Sequence, residues 1–175
     1  VLAAIKLFDE IGFRTAFAAF RRSLRDVCRN TGIMGRWQTV GNTILDTAHN
    51  VAGWTYVAAM LRQQLVQLRQ RGARLRVVFG MVDDKDLDGV LALLPKDAVY
   101  YFTQADTKRA VPADTVRRKA EALGLQGGSY AYPQLAYEQA QRDAADSKAD
   151  SNAEDIIFVG GSNYVIGDVE VGGDM

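Results

Sequence analysis

In the segment ILDTAHN (residues 44–50) an acid, Asp46, ends an apolar run, and His49 follows three residues later as the single histidine of a 175-residue chain. A carboxylate and an imidazole so spaced can share a proton, orient one another or face a bound ligand. Equally, Asp46 can cap the turn that follows and leave His49 an ordinary loop residue. Three further clusters carry chemistry. MVDDKD (81–86) holds Asp83, Asp84, Lys85 and Asp86; Thr103 is followed by Lys108 and Arg109; GGSN (160–163) presents Ser162. A lysine offers its ammonium to an anion. A serine at a strand-to-helix turn, beside free backbone N–H groups, offers a seat to a carboxylate or phosphate. Each also has a plain structural reading: DDKD as a solvated turn that caps a helix, and Ser162 as an N-cap.

These clusters act together only if the fold gathers them. WQTV (37–40) and TILD (43–46) read as short strands around a Gly41-Asn42 turn. Trp54, Val57, Ala58, Leu61, Leu65 and Leu68 mark a helix over 54–70, which Gly72 closes. RLRVVFG (74–80) is a strand, and Leu87, Val90, Leu91 and Leu94 mark a helix. AVYYFT (98–103) is a strand, and Val116, Ala120 and Leu123 a helix stopped at Gly124. A short strand is expected around Tyr130, a helix over 134–145, and a polar surface loop at SKADSNAED (147–155). IIFVGG (156–161) is a buried strand that leads into a short last helix. This alternation predicts an α/β fold, a Rossmann-like, mostly parallel sheet with helices on both faces. In such a sheet ligands bind beyond the carboxyl ends of the strands, where all four clusters fall.

The totals narrow the classes. Hydrophobic residues make up 48 % of the chain, enough for a sizeable core, and 21 basic residues balance 21 acidic ones. Zero net charge argues against nucleic acid and against an anionic membrane surface as partners. No apolar run reaches the length of a membrane span. VLAAIKLFDEIG carries Lys6, Asp9 and Glu10 and is not a signal peptide. It lacks an initiator Met, so the chain is expected to begin inside a longer product. One cysteine, Cys28, makes neither an internal disulfide nor a Cys-cluster zinc site, and a cytoplasmic location is expected. The first thirty residues read as two helices. Val1, Ile5 and Phe8 stripe one; Phe17, Phe20, Leu24, Val27 and Cys28 stripe the other, with Arg21, Arg22, Arg25 and Arg29 opposite. GxGxxG, P-loop and G-x-S-x-G signatures are absent. A Ser162–His49–Asp46 triad is formally available but lacks the strained elbow. Two other readings compete with an enzyme domain: a small hydrolase using Asp46 and His49 as acid and base, and a stand-alone, non-catalytic α/β module that binds a nucleotide or small anion.

Taken together, GRWQTV…ILDTAHNVAGW, VVFGMVDDKDLDGVLALLP, AVYYFTQADTKRAVP and DIIFVGGSNYVIGDV resemble the C-terminal domain of the folylpolyglutamate synthase/dihydrofolate synthase family, within the Mur ligase superfamily. The resemblance covers residues 34–171 in order and spacing. It implies that residues 1–33 are the last helices of a central ATPase domain and residues 34–175 a Mur ligase C-terminal domain. It implies a ligase of folate biosynthesis and one-carbon metabolism that uses ATP and Mg²⁺ to join L-glutamate to folate or dihydropteroate, by way of an acyl phosphate. Most metal ligands and the P-loop would lie in the absent domain, so this chain would hold no catalytic residue, no metal, and no activity alone. By the same resemblance Arg36, Asp46 and His49 face ATP, and His49, Lys85 and Ser162 face glutamate. Val51 stands where many members carry proline. The acceptor is left open between dihydropteroate and folate.

Overall fold

Six strands form one sheet: β1 (Gln38–Val40), β2 (Thr43–Asp46), β3 (Leu75–Phe79), β4 (Val99–Thr103), β5 (Gln126–Tyr130) and β6 (Ile156–Gly160). Their spatial order is β1-β2-β6-β3-β4-β5. Only β1 runs antiparallel to its neighbour; the other pairings are all parallel. Among the described residues four helices connect them, α1 (Val51–Gln70), α2 (Leu87–Leu91), α3 (Ala113–Ala122) and α4 (Pro133–Ser151), and α5 (Asn163–Gly167) follows β6. The computed structural model describes residues 35–172 and a few isolated earlier positions, so the two helices read into residues 1–30 fall outside the described residues. The chain divides into two compact units, Val1–Met34 and Gly35–Met175, the second holding the entire sheet.

The strands sort their residues by the period of two that a pleated strand imposes. Ile44, Val77, Phe79, Tyr100, Phe102 and Phe158 point into one core, which α1, α2 and α3 cover. Leu45, Val78, Tyr101, Ile157 and Val159 point into the other, which α4 and α5 cover. Being buried on both faces is why VVF and IIFV read as unbroken apolar runs. Trp54 of α1 anchors the first core, its ring edge-on to Phe79 and Phe158 at centroid distances of 5.4 and 5.7 Å.

The chain steps across the sheet from β3 to β4 to β5, then turns back to insert β6 between β2 and β3. Crossovers of one hand put helices on opposite faces when the direction of travel reverses. That explains α4 lying opposite α1, α2 and α3. The reversal creates a switch point between neighbouring strands: β2 leads to α1 on one face, β6 to α5 on the other. A crevice opens at such a point, beyond the carboxyl ends.

Three expectations need correction. The helix expected over 134–145 extends from Pro133 to Ser151 and takes in half of the expected surface loop. Nothing in that polar sequence stops it before Asn152, which adopts a left-handed φ of 54°. The same stretch ends in Asp155, which is 1 % exposed and paired with Arg76 at 2.8 Å, so it is interior structure rather than loop surface. The strand expected only around Tyr130 is five residues long and includes Gly127 and Gly128. Those glycines look like a turn, yet a Cβ at Gly127 would collide with the Tyr100 carbonyl, so the close approach of β4 demands glycine there.

Candidate functional site

Three segments meet at the switch point. Asp46 ends β2 and lies opposite Gly160 of β6 in the parallel register. Gly161 then turns the chain with φ 103°, a conformation in which a side chain is strained, and a Cβ there would also strike the Gly80 carbonyl. Ser162 follows as the N-cap of α5. The third segment is Gly35–Trp37, whose Trp37 N donates to Asp46. Gly35 has φ 71°, and a Cβ built on it would lie 2.6 Å from Thr47 Cγ2 and 3.2 Å from Ile166 Cδ1. It therefore touches both the loop after β2 and the helix after β6.

The polar groups in this cluster are tightly partnered. Asp46 spends both carboxylate oxygens on backbone: Trp37 N donates to Oδ2 and Ala48 N to Oδ1, each at 2.9 Å. Thr47 binds the Gly35 carbonyl twice, through its N–H at 2.8 Å and its hydroxyl at 2.9 Å. Arg36 Nη1 donates to the same hydroxyl oxygen at 2.6 Å. His49 Nδ1 lies 3.0 Å from the Thr47 carbonyl. A carbonyl only accepts, so Nδ1 carries the proton and a neutral His49 leaves Nε2 as an acceptor. Asn50 caps α1, its Oδ1 accepting from Gly53 N at 2.8 Å.

Lys85 belongs to an adjoining loop pair. Asp83 N donates to the Arg109 carbonyl and Val111 N to the Met81 carbonyl, which ties the loop after β3 to the loop after β4. Between them Asp84 Oδ2 pairs with Lys85 at 3.3 Å and Arg109 at 2.5 Å. Desolvation pushes the Asp84 carboxyl up, but hydrogen bonding from Lys85 and the Arg109 and Lys85 charges outweigh it and hold the group below the usual carboxylate range. Asp86 caps α2 through Gly89 N at 2.8 Å. A Cβ at Gly89 of α2 would lie 2.9 Å from Val51 Cγ2, so the helix that this loop enters adjoins the start of α1.

All five nominated residues thus sit beyond the carboxyl ends, with Arg36, Asp46 and His49 in one cluster, Ser162 on the turn beside it and Lys85 in the next loop. The plain structural readings also hold, since Asp46, Asp86 and Ser162 each cap a backbone N–H. Ser162 is 2 % exposed and accepts from Tyr164 N at 3.1 Å. The hydrolase reading loses its geometry: neither Asp46 oxygen reaches His49, whose Nδ1 is turned to a carbonyl. Two pairings escaped sequence reasoning, that of the Thr47 hydroxyl with Arg36 and the bridging of Lys85 and Arg109 by Asp84, a residue already named in its cluster. The alternation of sign in DDK hinted at the second; nothing local marked the first. Among the described residues no group of three or more His, Cys, Asp or Glu side chains could hold a metal ion. No helix among them is long and apolar enough to cross a membrane.

Comparison with known proteins agrees with this fold. The dihydrofolate synthase/folylpolyglutamate synthase of Escherichia coli (strain K12) is 32 % identical over 168 residues, covering 89 % of this chain and 36 % of that protein. The same enzyme of Buchnera aphidicola is 31 % identical over 102 residues, covering 56 % of this chain and 23 % of that protein. The present chain therefore spans about a third or less of the relatives it matches. Among solved structures, E. coli FolC in complex with DHPP and ADP superposes with a TM-score of 0.61 at 26 % identity, over 77 % of this chain and 30 % of that one. A bifunctional folylpolyglutamate synthase/dihydrofolate synthase with Mn, AMPPNP and L-glutamate bound gives 0.57 at 27 % identity, again over 77 % and 30 %. Residues 35–163 match the family described as Mur ligase, glutamate ligase domain, and the chain belongs to that family.

Proposed function

We propose that this chain supplies the substrate-closing domain of an ATP-dependent ligase that adds L-glutamate to folate or dihydropteroate. The observation that carries the reading is the state of Arg36. At the carboxyl edge Lys85 and Arg109 share the single carboxylate of Asp84, whereas Arg36 makes no ion pair among the described residues and its guanidinium donates to a neutral hydroxyl. A fixed guanidinium whose charge is not cancelled, placed at a switch-point crevice, suits a polyphosphate. Asp46 and His49 border it on the nucleotide side. His49, Lys85 and Ser162 would take the glutamate; Ser162 Oγ accepts from Tyr164 N and so keeps its own proton to donate to a carboxylate. ATP supplies the phosphoryl group that activates the acceptor's carboxyl as an acyl phosphate, and the glutamate amine attacks that carbon. The solved relatives hold ADP, AMPPNP and L-glutamate, which supports these ligands here.

The activity is proposed for an enzyme in which residues 34–175 form one domain and residues 1–33 end the one before it, a division that the compact units support. Mg²⁺ would be held mostly by that other domain, and the enzyme would work in the cytoplasm. With half of the cleft missing, the chain alone should bind weakly and turn nothing over. Titration with ATP and then L-glutamate, followed by amide resonances, tests this. Shifts should concentrate at residues 35–37, 46–50, 83–86 and 160–164. Shifts confined to the amino ends of the strands would refute the assignment.

A further inference from the structure

We propose that Thr47 is the positioning residue for Arg36, orienting its guanidinium toward a polyphosphate without cancelling its charge; the inference rests on the nucleotide reading above and assigns that site a component no motif supplies. Three observations converge on this side chain. Its hydroxyl accepts from Arg36 Nη1 at 2.6 Å while donating to the Gly35 carbonyl at 2.9 Å, so the proton direction is fixed along the chain Arg36, Thr47, Gly35. Its methyl lies 2.6 Å from where a Gly35 Cβ would be, so the glycine lets the two segments approach closely enough for the bond to form. Its own N–H also binds the Gly35 carbonyl, at 2.8 Å, which fixes the backbone on which the side chain stands.

The chemistry of the partner is the point. An arginine paired with a carboxylate is nearly neutral to a passing anion; Arg36, exposed to solvent, has no such partner among the described residues. A hydroxyl restrains the fork with one hydrogen bond and leaves the unit charge intact, with the remaining N–H groups free to donate. Asp46, which directly precedes Thr47, makes no ion pair with Arg36; its oxygens accept from Trp37 N and Ala48 N instead. The alternative, an unrestrained arginine, would lose side-chain entropy on binding each phosphate.

Two readouts separate positioning from mere structure. In the ligand-free chain, the ¹⁵N heteronuclear NOE of Arg36 Nε should match that of ordered backbone in the parent protein and in Thr47→Ser, which keeps the hydroxyl. It should fall to the value of a solvated side chain in Thr47→Val. In titrations with ATP, Thr47→Val should weaken binding about tenfold, the worth of one hydrogen bond to a charged group. Thr47→Ser should stay within about twofold by the same argument. Arg36→Ala should weaken binding to a similar degree, and Thr47→Val should add nothing further in the Arg36→Ala background. An unchanged NOE in Thr47→Val, or equal losses from that substitution with and without Arg36, overturns the proposal. Absence of any ATP binding by the parent chain would instead sink the nucleotide reading, while the Arg36 NOE would still decide whether Thr47 positions the guanidinium.

Discussion

Asp46 holds two positions at once. Its carboxylate ties the incoming strand to the loop after β2 by accepting from Trp37 N and Ala48 N, and the same residue borders the proposed nucleotide site. A residue that served only a ligand would be neutral to stability. Asp46 should not be. Replacement by Ala strands two backbone donors, at a cost of about 2 kcal/mol; Asn keeps one acceptor and should cost about half as much. Urea unfolding of the ligand-free chain measures both, and losses under about 0.5 kcal/mol for Asp46→Ala would show the two bonds to be idle. The candidate residues themselves were legible because an acid, an imidazole, an ammonium and a hydroxyl each stood directly after an apolar run. Their partners were not. Arg36 finds Thr47 eleven positions away and Asp84 finds Arg109 twenty-five positions away, through loop geometry that no local pattern encodes.

At the scale of elements, the carboxyl edge is built by glycines that let three strands and their loops close ranks. Gly161 is the most constrained. Its φ of 103° lies where side chains are strained, and a Cβ would meet the Gly80 carbonyl, a backbone atom that cannot swing aside. Gly161→Ala should therefore destabilise the chain by about 2–4 kcal/mol and shift the amide signals of Ser162 and Gly80 together. A change under about 1 kcal/mol would mean that the turn after β6 relaxes freely, and that the placing of Ser162 is not rigid. Elements with a strong local signal, the helical period of α1 and the unbroken apolar run of β3 above all, were legible in type and nearly in length. Those set by tertiary fit were not: β5 is a strand because β4 needs a glycine-bearing neighbour, and the end of α4 is helix because its polar residues face solvent without a breaker.

Over the whole molecule, the two ends of the sheet divide the labour. The carboxyl ends carry the ligand loops; the amino ends carry a buried charge network that the sequence concealed inside an apolar strand. Arg76, 3 % exposed, donates through Nε to Asp155 Oδ2 at 2.8 Å, through Nη1 to Tyr101 Oη at 2.6 Å, and through Nη2 to the Asp143 carbonyl at 2.7 Å. Tyr101 in turn donates to Asp143 Oδ2 at 2.6 Å, and burial pushes its phenol well above the usual range, so it stays a donor. Asp155 accepts from Arg74 N at 2.7 Å, and its carbonyl accepts from Asn42 Nδ2 at 3.1 Å. One guanidinium thereby joins β3, β4, α4 and the start of β6. A surface depression of about 300 Å³ above it, between Arg74 and Asp150, has Arg76 and Asp143 committed to this network rather than free for a ligand. Arg76→Met should cost about 3–5 kcal/mol, because Asp155 is left buried without its counter-charge. Adding Asp155→Leu should recover a large part of that loss, since removing both charges leaves no uncompensated ion. Strands of five residues separate this network from the ligand loops by roughly 16 Å. Where the double variant folds, ATP should therefore perturb the amides of residues 35–37 and 46–50 as it does in the parent chain. Loss of those shifts in a folded double variant would mean that the amino-end network shapes the crevice, and that the division between the two ends is false.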